Sequence, residues 1–371
     1  MWCLLLVALQ FTGGTADLPP PTTIVPLNTP PLIVIGANPA RGIFDPSLVA
    51  TGNASFPLLM SFSSVDSTNN ISTDLAVFTN NIWVAVSRVN AAQVNVTLPC
   101  SGGPCVGSLI SEVSSIIIDE TDPDPTRRIK VFSHMYIVTN TDELHYDEGY
   151  IALSTAPAPE GPWTHEALLG WAGASPLSTS AKQILTDFPA LSDCVIFTEP
   201  GAIISGEGML LALGCASLPI IPGGAARIRV VLLASSDHGE SWTLQTPALV
   251  DSSDAARLGY SVPSLDAANL LIAPDGGTLL IVSPSAEIAA GFTGYVGCIV
   301  LRIDPHNASD VVRDAAGKPV VEREIKPSMT AFAGACTAVS DSPSAWGGYL
   351  LPTLLGDTFA ILPSFQQPVM I

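Results

Sequence analysis

Ser235-Ser236-Asp237-His238-Gly239-Glu240-Ser241-Trp242 fits the pattern Ser-x-Asp-x-Gly-x-Ser-Trp and follows an apolar run from Ile228 to Leu233. A carboxylate and hydroxyls at these spacings can close hydrogen bonds inside a tight turn. Gly239 tolerates a positive φ there, and Trp242 can pack back onto the strands the turn joins. The stretch predicts a hairpin with an aromatic lock, so it speaks to fold rather than to chemistry.

Around this turn the 371-residue chain is built from short apolar, β-branched runs split by Gly, Pro, Asn and Asp, with almost no 3.6-residue periodicity. The single helix expected lies near Ala181 to Phe188. An acid, a few small residues, an apolar strand, a turn and a second strand recur four times. The units start at Asp45, Glu112, Glu199 and Asp266, with intervals of 112−45 = 67, 199−112 = 87 and 266−199 = 67. A fifth unit is expected near Cys336. A repeat of this length made of strands alone predicts an all-β fold, a five-bladed β-propeller of four-stranded antiparallel blades. The last unit lacks an outer strand, which the N-terminal segment Leu32-Ile33-Val34-Ile35 would supply, closing the ring.

Composition narrows the function classes. With 14 basic and 33 acidic residues the net charge is −19, which disfavours nucleic acid and anionic membrane surfaces as partners. Residues 1–16 read as a secretory signal, since the apolar run Trp2 to Phe11 is too short to span a bilayer and Gly14-Thr15-Ala16 offers small residues for cleavage. Residues 17–30 form a Pro-rich leader and 31–371 a single propeller domain. Beyond the signal six cysteines remain, and the expected pairs are Cys100 with Cys105, Cys194 with Cys215, and Cys298 with Cys336, out of fifteen pairings. Four sequons, at Asn53, Asn70, Asn95 and Asn307, fit a glycosylated extracellular protein. A monomer is expected.

In a propeller the innermost strands surround one axis, so the repeated acids would converge in a funnel. Carboxylates held close cannot all ionise freely, which drives their pKa values apart and separates acid from base. The same carboxylates would attract a hard cation, leaving room for a structural calcium ion, although no dedicated ligand loop is visible and no other cofactor is implied. Each acid also has a plain reading: Asp45-Pro46 and Glu199-Pro200-Gly201 as turns, Glu112 as a solvated strand residue, Asp266 as a turn cap. Arg41 and Tyr260 are the further candidates for touching substrate, ahead of Trp83, His134, His145 and Arg257.

Phe44-Asp45-Pro46-Ser47, Thr198-Glu199-Pro200-Gly201-Ala202-Ile203 and the Glu160-Gly161-Pro162-Trp163 turn resemble the five-bladed glycoside hydrolases, foremost glycoside hydrolase family 43 and its relatives. The resemblance implies that Asp45 is the general base activating water, Glu112 stands at the position that tunes pKa and orientation, and Glu199 is the general acid. Glu112 departs from the family's Asp, and no Asp-Pro follows it. The Ser235–Trp242 stretch resembles the Asp-box of sialidases and related propellers. Three functions follow: a secreted hydrolase of an oligo- or polysaccharide, a non-catalytic carbohydrate-binding or adhesion propeller, and a sialidase. The last needs an arginine cluster, and the ten arginines are scattered without a recognisable Arg-Ile-Pro opening.

Overall fold

The computed structural model describes residues 22–25, 34–37, 43–80, 82–100, 103–139, 144–171, 176–206, 208–217, 227–262, 264–273, 275–289, 292–295, 297–327, 336–340 and 359–363. Nearly all of its regular structure is strand, in four large sheets and one pair. The first sheet runs Ile43–Ala50, Leu58–Val65, Ile71–Thr79, Ile82–Asn90 and Val34–Ile35. The second runs Gln93–Cys100, Gly103–Ile118, Ile129–Thr139, Leu144–Ala156, Thr164–Gly170 and Gln183–Ile184. Cys194–Ser205, Gly208–Ser217, Arg227–Ser235 and Thr243–Val250 make the third. The fourth follows the path Leu265–Ile272, Thr278–Ala289, Cys298–Asp304, Val321–Pro327 and Thr22–Val25, and Cys336–Ser340 pairs with Phe359–Pro363.

The middle strands are apolar on both faces because both faces are covered. Leu211, Leu213, Val231 and Leu233 of the third sheet pack with Phe132, Ile151 and Leu153 of the second. Their alternating neighbours Ala212, Val230 and Leu232 pack with Leu270, Leu280 and Val282 of the fourth. Leu59, Leu75 and Val77 of the first sheet meet Ile116 and Val131 of the second in the same way. With a side-chain period of two and no solvated face, a strand reads as a continuous apolar run.

One inner strand of each sheet lies against the inner strand of the next. Ile43–Ala50 contacts Gly103–Ile118, which contacts Cys194–Ser205, which contacts Leu265–Ile272. Cys336–Ser340 contacts both Leu265–Ile272 and Ile43–Ala50. Serines pin this inner layer. The Ile116 amide donates to Ser47 Oγ at 3.2 Å, and the Ala202 amide donates to Ser115 Oγ at 2.9 Å. Where the third strand meets the fourth the corresponding residue is Gly201, and a Cβ there would stand 2.4 Å from the Ala268 carbonyl oxygen.

The Ser235–Trp242 turn closes as its residues dictate. Ser235 Oγ donates to Asp237 Oδ1 at 2.8 Å and accepts from the Gly239 amide at 2.9 Å, while the Ser241 amide donates to Asp237 Oδ1 at 2.9 Å. Trp242 is buried and meets Phe132 of the second sheet edge-on, with ring centroids 5.8 Å apart. The Glu160–Trp163 turn leans back in the same sense: Trp163 Nε1 donates to Ser87 Oγ of the first sheet at 3.0 Å. Cys194 and Cys215 are bonded on neighbouring strands, and Cys298 is also in a disulfide. The side chains of Cys100, Cys105 and Cys336 lie outside the described residues.

Several expectations change. Val34–Ile35 pairs in parallel with Trp83 and Val84 at the outer edge of the first sheet instead of completing the last unit. Thr22–Val25, in the proposed leader, pairs with Glu324 to Pro327 of the fourth sheet, so it is a strand. The sheets are not uniformly four-stranded, because the 16-residue strand Gly103–Ile118 outruns its neighbour and folds a hairpin with Gln93–Cys100. The expected helix near 181–188 is a two-residue strand and a 3₁₀ turn, Leu185–Asp187. An α-helix forms instead at Ser252–Leu258, with Asp251 and Asp254 as a capping box and Gly259 closing it left-handed.

Replacing Gly201 by Ala forces a methyl into the Ala268–Asn269 backbone, where 2.4 Å and 2.7 Å are available. It should lower stability by about 1–3 kcal/mol. Guanidinium denaturation measures this, and an unchanged midpoint would refute the close contact of the third and fourth inner strands.

Candidate active site

The inner strands of the four large sheets each carry one extra residue at the same place. The register slips between Phe44 and Ser47, Glu112 and Ser114, Thr198 and Gly201, and Asp266 and Asn269. At each slip one non-glycine residue is left-handed: Asp45 at φ 48°, Val113 at 44°, Glu199 at 54° and Ala267 at 53°. A bulge of this kind re-aims side chains and admits residues that cannot join the ladder, which is why Pro46 and Pro200 are accommodated. The repeated acids therefore occupy two positions. Asp45 and Glu199 are themselves the left-handed residue, whereas Glu112 and Asp266 immediately precede it.

Glu112, Glu199 and Asp266 belong to one cluster. Tyr136, opposite the inner strand on Ile129–Thr139, donates its hydroxyl to Glu112 Oε2. Tyr136 and Tyr146 hydrogen-bond to each other, with ring centroids 4.5 Å apart. Tyr146 feels the charges of Glu112, Glu199 and Asp266 together. It reaches them because residues 146–149 bulge out of the ladder between the paired residues His145 and Tyr150. Asp266 hydrogen-bonds Glu199 across the boundary between the fourth and third sheets. Under these groups lie His134, 4.9 Å from the Tyr136 ring and 5.9 Å from that of Tyr146, and then Trp171.

Burial dominates the electrostatics. It raises Glu112, with the Tyr136 hydroxyl pulling the other way, and it raises Asp266 against the hydrogen bonds from Ala267 and Glu199. Tyr146 is pushed up to about 12 by burial and then by Glu112. His134 is lowered to about 3, by burial alone, so its ring is neutral at physiological pH. Carboxyls with raised proton affinity beside hydroxyls and an aromatic wall suit acid–base work on a hydroxylated ligand.

Asp45 sits on the equivalent bulge of the first sheet. Arg41 lies outside the described residues. Tyr260 is not brought to the cluster: its hydroxyl faces Glu324 at 3.4 Å and its ring packs on the apolar layer between the third and fourth sheets. It follows the Ser252–Leu258 helix, which sequence periodicity had not located, so its distance from the acids was hidden. Trp83 packs on Phe78 in the first sheet, and Arg257 pairs with Asp254. Tyr136, Tyr146 and Trp171 were missed, although Tyr136 shares a strand face with His134 two residues away.

No protein-family model matches the chain, and no curated protein matches it. Similar solved structures include glycoside hydrolases. A thermostable family-43 glycoside hydrolase is 13% identical, with TM-score 0.45 over 89% of this chain and 91% of that one. An exo-1,5-α-L-arabinanase from a bovine ruminal metagenomic library is 10% identical, with TM-score 0.42 over 76% and 77%. A glycoside hydrolase of the GH130 family that targets β-1,2-mannosidic linkages is 10% identical, with TM-score 0.45 over 87% and 84%.

A second polar group, Asp119, Asp122 and His238, brings potential metal ligands within 4.8 Å of one another. The buried Lys130 ammonium already lies among them, paired with both carboxylates, so the positive charge a cation would bring is in place. Through His238, which meets Asp119 at 2.9 Å, the group ties the second sheet to the turn of the third.

His134 has a calculable signature. The unfolded chain binds a proton on this ring near pH 6.5, while the folded protein does so only near 3. Stability should therefore be intact above 6.5 and fall as pH drops between these values, by up to about 1.4 kcal/mol per pH unit from this group. Denaturation of His134→Gln between pH 7 and pH 4 should show a smaller loss than the native protein. Equal slopes would contradict a buried neutral ring.

Proposed function

We propose that this chain is a secreted glycoside hydrolase that cleaves an extracellular oligo- or polysaccharide by acid–base carboxylate catalysis in the funnel of a five-bladed β-propeller. The observation that carries the reading is the meeting of Glu112, Glu199 and Asp266, from the inner strands of three different sheets, around Tyr146. The contact of Cys336–Ser340 with both the fourth and the first inner strands supports a closed ring of five units. Residues 1–16 are the proposed secretion signal, and Asn53, Asn95 and Asn307, all exposed, are proposed glycan acceptors with Asn70.

Glu199 is the proposed general acid, protonating the glycosidic oxygen, and Asp45 the base that activates water from the other side of the bond. A base acting through water needs a carboxyl separation of roughly 6.5–9.5 Å. Glu112, fixed by Tyr136, orients the substrate beside the reacting sugar. Tyr146, half-buried, offers aromatic surface to sugar C–H faces, with Trp171 buried in the core behind it. A bound calcium ion would be structural.

The sialidase alternative needs arginines at the carboxylates. Arg88, Arg127, Arg229, Arg302 and Arg313 instead bind Asp74, Glu240, Asp193, Glu322 and Asp254.

Glu199→Gln should reduce turnover by about 10²–10⁴-fold on whichever glycan the native protein hydrolyses. Release of reducing sugar from a panel of arabinan, xylan, fructan and mannan measures it, with thermal melting as the control for folding. Binding without hydrolysis, equal in native protein and variant, would replace the enzyme with a carbohydrate-binding propeller.

A further inference from the structure

The second sheet differs from the others at its inner edge. In the first, third and fourth sheets the inner strand ends the sheet, whereas in the second Gln93–Cys100 lies beyond it, paired with residues 103–109. The hairpin so formed is anchored. Val96 packs with Leu109, Met135 and Ile137, and a Cβ on Gly107 would stand 2.5 Å from the Val138 carbonyl oxygen. Gln93, Asn95, Thr97, Pro104 and Val106 are exposed on it. No charged residue occurs between Arg88 and Glu112. An exposed, uncharged hairpin carrying amides and a hydroxyl offers hydrogen bonds to sugar hydroxyls.

The hairpin stands on the open side of the acids. Asp45, Glu112, Glu199 and Asp266 are half-buried, while Ser47, Ser114, Gly201 and Ala268, just past the bulges, are buried. Water therefore reaches the acids from the side on which the inner strands begin, and there the described rim is uneven. From Glu112 the inner strand of the second sheet extends back to Gly103, a rise of about 30 Å. In the first sheet it begins at Ile43, and the next two strands turn back at residues 66–70. In the fourth, Thr278–Ala289 runs past Pro284, which is opposite Leu265, and pairs residues 285–289 with Phe292–Tyr295.

We propose that the 93–107 hairpin is a wall of the sugar site that restricts the enzyme to chain ends, where it takes the terminal unit of an uncharged glycan. This rests on the glycosidase reading and its ring of five. In such a ring a glycan entering over the low first sheet crosses the axis towards the boundary of the third and fourth sheets. The 285–295 hairpin stands there, and the 93–107 hairpin stands at the flank. Cleavage inside a chain needs a groove open at both ends, and the described rim is low only at the first sheet. Gln93, paired with Leu109 just above Glu112, is the wall residue nearest the acids.

Product sizing and viscometry on linear arabinan, xylan, inulin and mannan test the wall. The native protein should release one small product while viscosity hardly falls. Replacing residues 97–106 by Asn-Gly keeps the Val96–Gly107 pair but shortens the hairpin, and should give mixed product lengths with an early drop in viscosity. Gln93→Ala, at an exposed position, should raise KM about 2–10-fold, which covers the case in which the shortened protein does not fold. Internal cleavage by the native protein, or native products and KM in every variant that melts normally, overturns the proposal. Where the native protein cuts none of these glycans, calorimetric titration with their oligosaccharides separates the two readings. Binding that the shortened hairpin weakens supports the wall and removes the hydrolase, whereas binding that is absent or unchanged overturns the wall as well.

Discussion

One backbone device governs the centre of this molecule: an extra, left-handed residue in the inner strand of each of the four large sheets. L-residues other than glycine avoid this conformation, at a cost of roughly 1–3 kcal/mol each where they are held in it. Four such residues, Asp45, Val113, Glu199 and Ala267, recur at matched positions. A single strained residue could be an accident of one loop. Four in register require that neighbouring strands hold one another in place, and they do so through Ser47 and Ser115 and through the close approach at Gly201. The strain is therefore offset by packing between sheets, and the acids inherit rigid supports.

That support depends on the sheets being sandwiched. A sheet with one wet face can slide or flatten, whereas here Leu211 and Leu213 are locked to one neighbour while Ala212 is locked to the other. The outer turns repeat the principle with aromatic locks, Trp163 reaching back to the first sheet and Trp242 to the second. Polar groups inside this arrangement must be paired, and Lys130, fully buried between Asp119 and Asp122, shows the rule applied to a charge.

Much of this was legible in the chain. The Ser235–Trp242 turn is encoded by residues that contact only each other and the strands they join, so reading it needs no tertiary knowledge. The recurring acids and the bond between Cys194 and Cys215 were visible for the same local reason. Register was not. Spacing treated Asp45, Glu112, Glu199 and Asp266 as equivalents, yet a one-residue offset puts two of them on the left-handed position and two before it. Tyr146 was invisible because its place is set by a four-residue excursion of one strand, and the edge chosen by Val34–Ile35 depended on which sheet offered an unpaired neighbour.

The offset has an electrostatic consequence. Had all four acids taken one position, they would point alike and repel as a ring. With Glu199 on the bulge and Asp266 one step before its own, the two acids leave adjacent strands at different places and interact across the boundary between the third and fourth sheets. In a chain of net charge −19, Arg88, Arg127, Arg229, Arg302 and Arg313 pair with carboxylates elsewhere, while at this centre the Tyr136 hydroxyl donates to Glu112. Burial with a hydroxyl or an amide as partner is what raises the proton affinity of Glu112 and Asp266, because neither kind of donor offsets the cost of taking a charge out of water.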